Sequence, residues 1–232
     1  MGNVRTKTFS VSFWLALWCL VSLLTAAGAS EPSMPDVNRT FDGKKEEKIN
    51  RISSRPPKEA FEKFKDVDFL TDADYMHKAV YKTFRQRKTE GIGLALQTLS
   101  LPVTEHIQGE TVHRARDLRV AKAIMAVFPE DSVPRLLALY ENGDPVTKGN
   151  IIRVSGGLAG PEVRNFLMRA LDEKTFCDPE DPEVDGPPMR VCDLAYNQLV
   201  LRYRLKNVLL TIGPVLRIEA RDSHIEILKG KL

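Results

Sequence analysis

Three groups of residues in this 232-residue chain have types and spacings that could do chemistry. Glu110 and His113 stand at Glu-x-x-His spacing, which on a helix presents a carboxylate and an imidazole together, as in carboxylate-bridged metal centres. One copy is a fragment of such a centre, which needs a second copy and more glutamates. His77, His106 and His224 have no partners at metal-ligand spacing and read as surface or helix-end histidines. Asp181-Pro182-Glu183-Val184-Asp185-Gly186 has oxygens at alternate positions followed by glycine, as at the start of a calcium loop. The twelfth position is Cys192 instead of a bidentate glutamate, and prolines stiffen the stretch, so a solvated or partner-facing acidic loop is the better expectation. Cys177 and Cys192 flank this stretch. They can form a disulfide, stay as buried thiols, or supply two of the four ligands that a closed zinc site requires; no histidine lies nearby to complete the last.

Other catalytic signatures are missing. Ser155-Gly156-Gly157 follows no strand, so it is no nucleophile elbow. No glycine loop cradles phosphate, and no cofactor or metal is implied.

The elements around these residues read as helices. Val133, Leu136, Leu137 and Tyr140 fall on one helical face, with Asp131 or Ser132 as a cap and Asn142-Gly143 as a stop. Asp144-Pro145 opens a second helix carrying Ile151 and Ile152, because a first-turn proline lacks only an amide that would be orphaned anyway. Gly160-Pro161 opens a third, with Val163, Phe166, Leu167, Ala170 and Leu171 as its stripe. Met189 to Tyr203 forms a fourth, apolar on most sides and therefore expected between neighbours. Val163, Phe166 and Leu167 match Val133, Leu136 and Leu137 at an offset of about thirty residues, the period of stacked helical hairpins.

Residues 132–203 resemble HEAT-type repeats of the armadillo-like α-solenoid class. The resemblance rests on Val133-Pro134-Arg135-Leu136-Leu137, Asp144-Pro145, Pro161-Glu162-Val163-Arg164 and the Met189–Tyr203 helix. It covers about a third of the chain and implies an all-α fold, a short α-solenoid of stacked helical hairpins. It departs from the pattern in the insertion 173–189, where such repeats have a short turn. The class includes adaptors and scaffolds, and a few lyases. The function this implies is a protein-binding or scaffold module, with a lyase-type enzyme or a calcium-stabilised module as alternatives. The partner expected is another protein. Candidate contacts are Arg153, Arg190, Asp193 and Asn197 on the second helices, with Asp181, Glu183 and Asp185 on the insertion.

The remaining elements frame this region. A helix is expected from Thr71 or Asp72 to Phe84, interrupted at Gly91-Ile92-Gly93, and another from about Val112 to Phe128 that ends at Pro129-Glu130-Asp131. The stretch 207–220 fits either strands or short helical pieces. Ser223 with Glu226 makes a capping-box pattern for a last helix from about His224 to Lys229.

The N-terminus points to export. Arg5 and Lys7 precede the apolar run Phe9–Leu24, and Ala27-Gly28-Ala29 supplies small residues for cleavage, the order of a signal peptide over 1–29. The alternative is a membrane anchor over 9–29, although the run is short of the twenty or so residues a span needs. Export makes the Cys177–Cys192 pair most simply a disulfide, worth about 3 kcal/mol by loop closure. Loss of Arg5 and Lys7 from the 34 basic residues leaves 32 against 31 acidic ones, which gives no electrostatic drive toward nucleic acid. Residues 30–65, with Pro32, Pro35, Pro56 and Pro57 and the charged run Lys44–Lys48, read as a flexible, disordered linker, at whose end Ala60, Phe61 and Phe64 can begin a first helix. The helical-repeat domain is then expected over 66–232.

Overall fold

A computed structural model describes residues 43–66, 73–102, 104–107, 110–113, 115–179, 186–205 and 209–232, the two short segments 104–107 and 110–113 as backbone only. The expected signal peptide over 1–29, the alternative anchor over 9–29 and the acids Asp181, Glu183 and Asp185 lie outside the described residues.

The described chain is helical apart from one two-stranded hairpin. Helices begin inside the stretch expected to be a linker. Helix α1 (Gly43–Ser53) buries Ile49 and Ile52, and α2 (Pro57–Lys65) buries Ala60, Phe61 and Phe64. The apolar residues are few, but each set lies at i, i+3 or i+4. One short stripe per helix suffices when a neighbour receives it. Phe64 meets Phe84 edge-on at 6.3 Å. The charged run that suggested disorder is used in packing: Glu46 pairs with Lys78 at 3.0 Å and Lys82 at 2.8 Å.

Helix α3 (Ala73–Phe84) follows the expected stripe, burying Met76, Ala79, Val80 and Phe84. Helix α4 (Lys88–Leu99) runs straight through Gly91 and Gly93. Gly91 is there for closeness, not as a break: a Cβ on it would stand 2.7 Å from the Phe84 ring. Strands β1 (Thr104–Ile107) and β2 (Glu110–His113) pair antiparallel, with Thr104 opposite His113 and Ile107 opposite Glu110. Helix α5 (Ala115–Val127) therefore starts later than the periodicity suggested.

Helix α6 (Pro129–Asn142) starts at Pro129, so Pro129-Glu130-Asp131 is its first turn and not the end of its predecessor. Helix α7 (Pro145–Ser155) is capped as its sequence implies, with the Asp144 carboxylate accepting from the Thr147 amide at 2.7 Å. Helix α8 (Pro161–Ala170) follows Gly160, whose φ of 105° is a left-handed conformation that suits glycine. Helix α9 (Val191–Arg202) is buried on most of its sides. Helix α10 (Ile218–Lys229) begins six residues before the expected start. Ser223 is therefore no cap; its hydroxyl donates to the Glu219 carbonyl within the helix.

Helices α4, α6 and α8 each pack on the helix that follows, and α3, α5, α7 and α9 pack on one another in that order. Tyr140 of α6 meets Phe166 of α8 edge-on at 4.8 Å. Helix α10 closes against α9. A single cluster of buried apolar side chains runs from Ile49 to Leu228. Among the described residues no helix is long and apolar enough to cross a membrane.

Candidate functional site at the docked loop

The insertion after α8 returns on itself before α9. Phe176 bridges Arg190 antiparallel, the Cys177 amide donates to the Met189 carbonyl at 2.9 Å, and the Val191 amide donates to the Thr175 carbonyl at 3.0 Å. The base of the loop is thus a short two-stranded ladder, although its sequence has no strand signal longer than a few residues. Asn197 fixes the next segment in a similar way, donating to the Ile212 carbonyl at 2.8 Å and accepting from its amide at 2.7 Å. The 209–212 run is neither helix nor strand, and at Ile212 it pairs with a side chain.

Helix α7 holds the other side of the loop at three points. Lys148 reaches Glu173 at 3.0 Å, Gly149 lies against Cys177, and Arg153 reaches Asp178 at 2.5 Å. Gly149 makes the middle contact possible, since a Cβ there would stand 2.8 Å from both Cβ and Sγ of Cys177. Hydrogen bonds from Thr175 and Lys148 hold the Glu173 carboxyl below the usual range. Arg153 is therefore half-buried in loop docking and also bonds Asn150.

Beneath the loop lies a buried ionic network. The Arg190 guanidinium reaches Asp193 at 2.8 Å and Asp222 at 2.7 Å. Arg221 from α10 donates to Asp193 at 2.9 Å and to the carbonyls of Pro187, Pro188, Pro214 and Leu216. Burial works against charge on Arg190, yet its bonds to Asp193 and Asp222 outweigh that and hold its proton more firmly than usual. Lys174 and Arg190 likewise keep Asp222 ionised to lower pH. The Arg190 and Asp193 side chains are 3% and 0% exposed. They cannot be the solvent-facing contacts that their place on a second helix suggested: they are internal ties, joined by an arginine twenty-eight residues downstream. Asn197 is a tie as well.

Cys177 and Cys192 are free, buried thiols. Each is already placed by polar contacts: Cys177 Sγ donates to the Met189 carbonyl at 3.3 Å, and Cys192 Sγ to Asp193 Oδ1 at 3.7 Å. This corrects the expected disulfide. Burial pushes both thiols up to about 12, with the nearby Asp178 and Asp193 carboxylates adding to the effect, so neither is a ready nucleophile.

Glu110 and His113 sit on β2. Glu-x-x-His presents two ligands together only on a helix, so the metal half-site loses its basis. Among the described residues no group of three or more His, Cys, Asp or Glu gathers as metal ligands would. A cleft of about 310 Å³ opens beside the loop between Tyr140 and Phe166; two of its three acids are engaged, Glu173 with Lys148 and Asp172 with Lys229, and Glu141 is the third.

What the sequence did not disclose is Phe176. It is 49% exposed, while its neighbour Cys177 and its bridge partner Arg190 are buried. Its signal was its position next to the first cysteine, at the edge of the acidic stretch. Comparison with protein-family models, with curated proteins and with solved structures finds no match, so the site rests on geometry.

Proposed function

We propose that this chain is an exported scaffold of HEAT-like helical hairpins that binds another protein through the base of the loop 173–189. One observation carries the proposal: a half-exposed aromatic, Phe176, held on a backbone fixed from both sides. Aromatic anchors supply much of the energy of protein interfaces, and a loop ordered before binding loses less entropy when a partner arrives. The docked ladder, the α7 contacts and the Arg221 network all supply that order. The repeating cap-proline starts of α7 and α8 and the hairpin order of α4 to α9 support the solenoid reading. The leader-like composition of residues 1–29 supports export.

The test is photocrosslinking in the native host, with benzoylphenylalanine placed at Phe176 and, as a control, at exposed Thr211. A discrete adduct from position 176 that is absent at 211, and that unlabelled wild-type protein competes away while Phe176→Ala protein does not, supports the reading. Equal or no crosslinking at the two positions overturns it.

A further inference from the structure

Helices α6 and α8 begin alike. Pro129-Glu130 and Pro161-Glu162 each put a proline at the first helical position and a glutamate at the second. The two helices run side by side in the same direction. Their later turns meet through Tyr140 and Phe166, and their starts share a cleft of about 420 Å³. Val133, Pro134, Pro161 and Val163 make its walls largely apolar, and Glu130 and Glu162 line it with exposed side chains.

The macrodipole explains why a glutamate is stable in the first turn of each helix, but an exposed carboxylate there keeps most of its charge. Neither Glu130 nor Glu162 makes an ion pair or a hydrogen bond among the described residues, whereas Asp131, next to Glu130, is taken by Lys88 at 2.6 Å. At the other end of the helix pair, Asp172 and Glu173 are taken by Lys229 and Lys148. No lysine or arginine lines the cleft between the starts. Each proline also removes one amide donor from a helix start, which makes these starts poorer sites for an anion. The cleft therefore combines apolar walls with two carboxylates that nothing on the described chain neutralises.

We propose that this cleft seats an arginine-bearing, otherwise apolar segment of a partner protein. Long cationic side chains bury their methylenes and keep their heads in water, so an arginine stem can lie on the proline and valine walls while its guanidinium reaches the carboxylates. Five donors in a fixed fork let one guanidinium serve two carboxylates, which a compact ammonium does less well. Helix α8, ten residues or about 15 Å long, separates the cleft from the loop 173–189, and the assignment does not rest on Phe176.

The test is titration of the full chain into a labelled, end-blocked peptide of alternating valine and arginine, read by fluorescence anisotropy. Saturable binding is expected, weakening as salt rises. Glu130→Gln and Glu162→Gln should each weaken it by about threefold to tenfold, and the double variant by about tenfold or more. Glu141→Gln, an acid of the other cleft, and Phe176→Ala should keep wild-type affinity. Absence of saturable binding, or unchanged affinity in the double variant, overturns the site. Equal weakening by Glu141→Gln would reduce it to the general field of the surface, and equal binding of the peptide with glutamine for arginine would overturn the charge assignment. Self-association of the wild-type chain in sedimentation, abolished in the double variant, would seat a second copy in the cleft and overturn the partner assignment.

Discussion

Arg221 Nη1 lies 2.9 Å from Asp193 Oδ2, and both side chains are wholly buried. The pair joins α10 to the start of α9, and the same guanidinium satisfies the carbonyls of Pro187, Pro188 and Pro214. Prolines bring carbonyls without amides, so a stretch rich in them has acceptors that no local ladder can satisfy. One arginine with five donors answers three of them together. The loop, the 209–217 segment and the last helix are therefore one cooperative unit.

Replacing Arg221 by Met should cost about 3–5 kcal/mol, because Asp193 keeps only Arg190 and several buried carbonyls lose their donor. Urea unfolding measures the loss, and hydrogen exchange should show protection falling together in α10 and at the Cys177 amide. A cost below about 1 kcal/mol would mean that water replaces the guanidinium and that the network is weakly coupled.

Helices announced by cap and proline were legible in the sequence: Asp144-Pro145 and Gly160-Pro161 start α7 and α8 where expected. Local chemistry decides such starts, so no tertiary knowledge is needed. Helix α1 was hidden because charge dominates its composition, and its Ile49–Ile52 stripe gains meaning only when α3 receives it; the Ala60, Phe61 and Phe64 stripe of α2 was legible as a helical start, but not its packing on α4 and α5. The hairpin at 104–113 replaced a helical start because Val112 fits either period. The site was half legible. The insertion stood out by composition, but the burial of Arg190 and Asp193 depends on Arg221, far away in sequence. A polar residue on a helix apolar all round was the available signal, since such a residue has no solvent face to occupy.

Gly149→Ala should loosen the loop. The new methyl would meet Cys177 Sγ at 2.8 Å in a buried contact, and overpacking of this kind costs about 1–3 kcal/mol. If the cost arises at the loop, Phe176 and Asp178 will show faster amide exchange while α4 and α5 stay unchanged. Uniform loss of protection would instead place Gly149 in the global core.

His77 should make stability depend on pH. Burial, opposed by Asp74 and helped by Lys122, holds its folded pKa below the ordinary imidazole value of 6.5. The unfolded chain therefore takes up a proton first as pH falls, and stability is lost from about pH 6.5 down toward the folded value. The carboxylates held low, Glu46, Glu173 and Asp222, lose their contribution only below the ordinary acid range. Urea midpoints at pH 7 and pH 5 should differ more for the wild-type chain than for His77→Gln. Equal differences would assign the acid sensitivity to other groups.

The cysteines report on both the fold and the leader. Cys177 and Cys192 are buried and pushed up to about 12, so the native protein at pH 8 should resist Ellman's reagent. In denaturant without reductant both should react, because free thiols need no reduction. Cys19 lies in the leader-like segment, so a chain that has lost residues 1–29 titrates two thiols and an uncleaved one titrates three. Intact mass from the host distinguishes the same cases, with cleavage after Ala29 giving a chain that begins at Ser30. No reaction in denaturant until reductant is added would show that the pair is oxidised in the native host. Met189 and Asp193 would then lose their thiol donors, and the ladder that holds Phe176 would have to shift to bring the two sulfurs together.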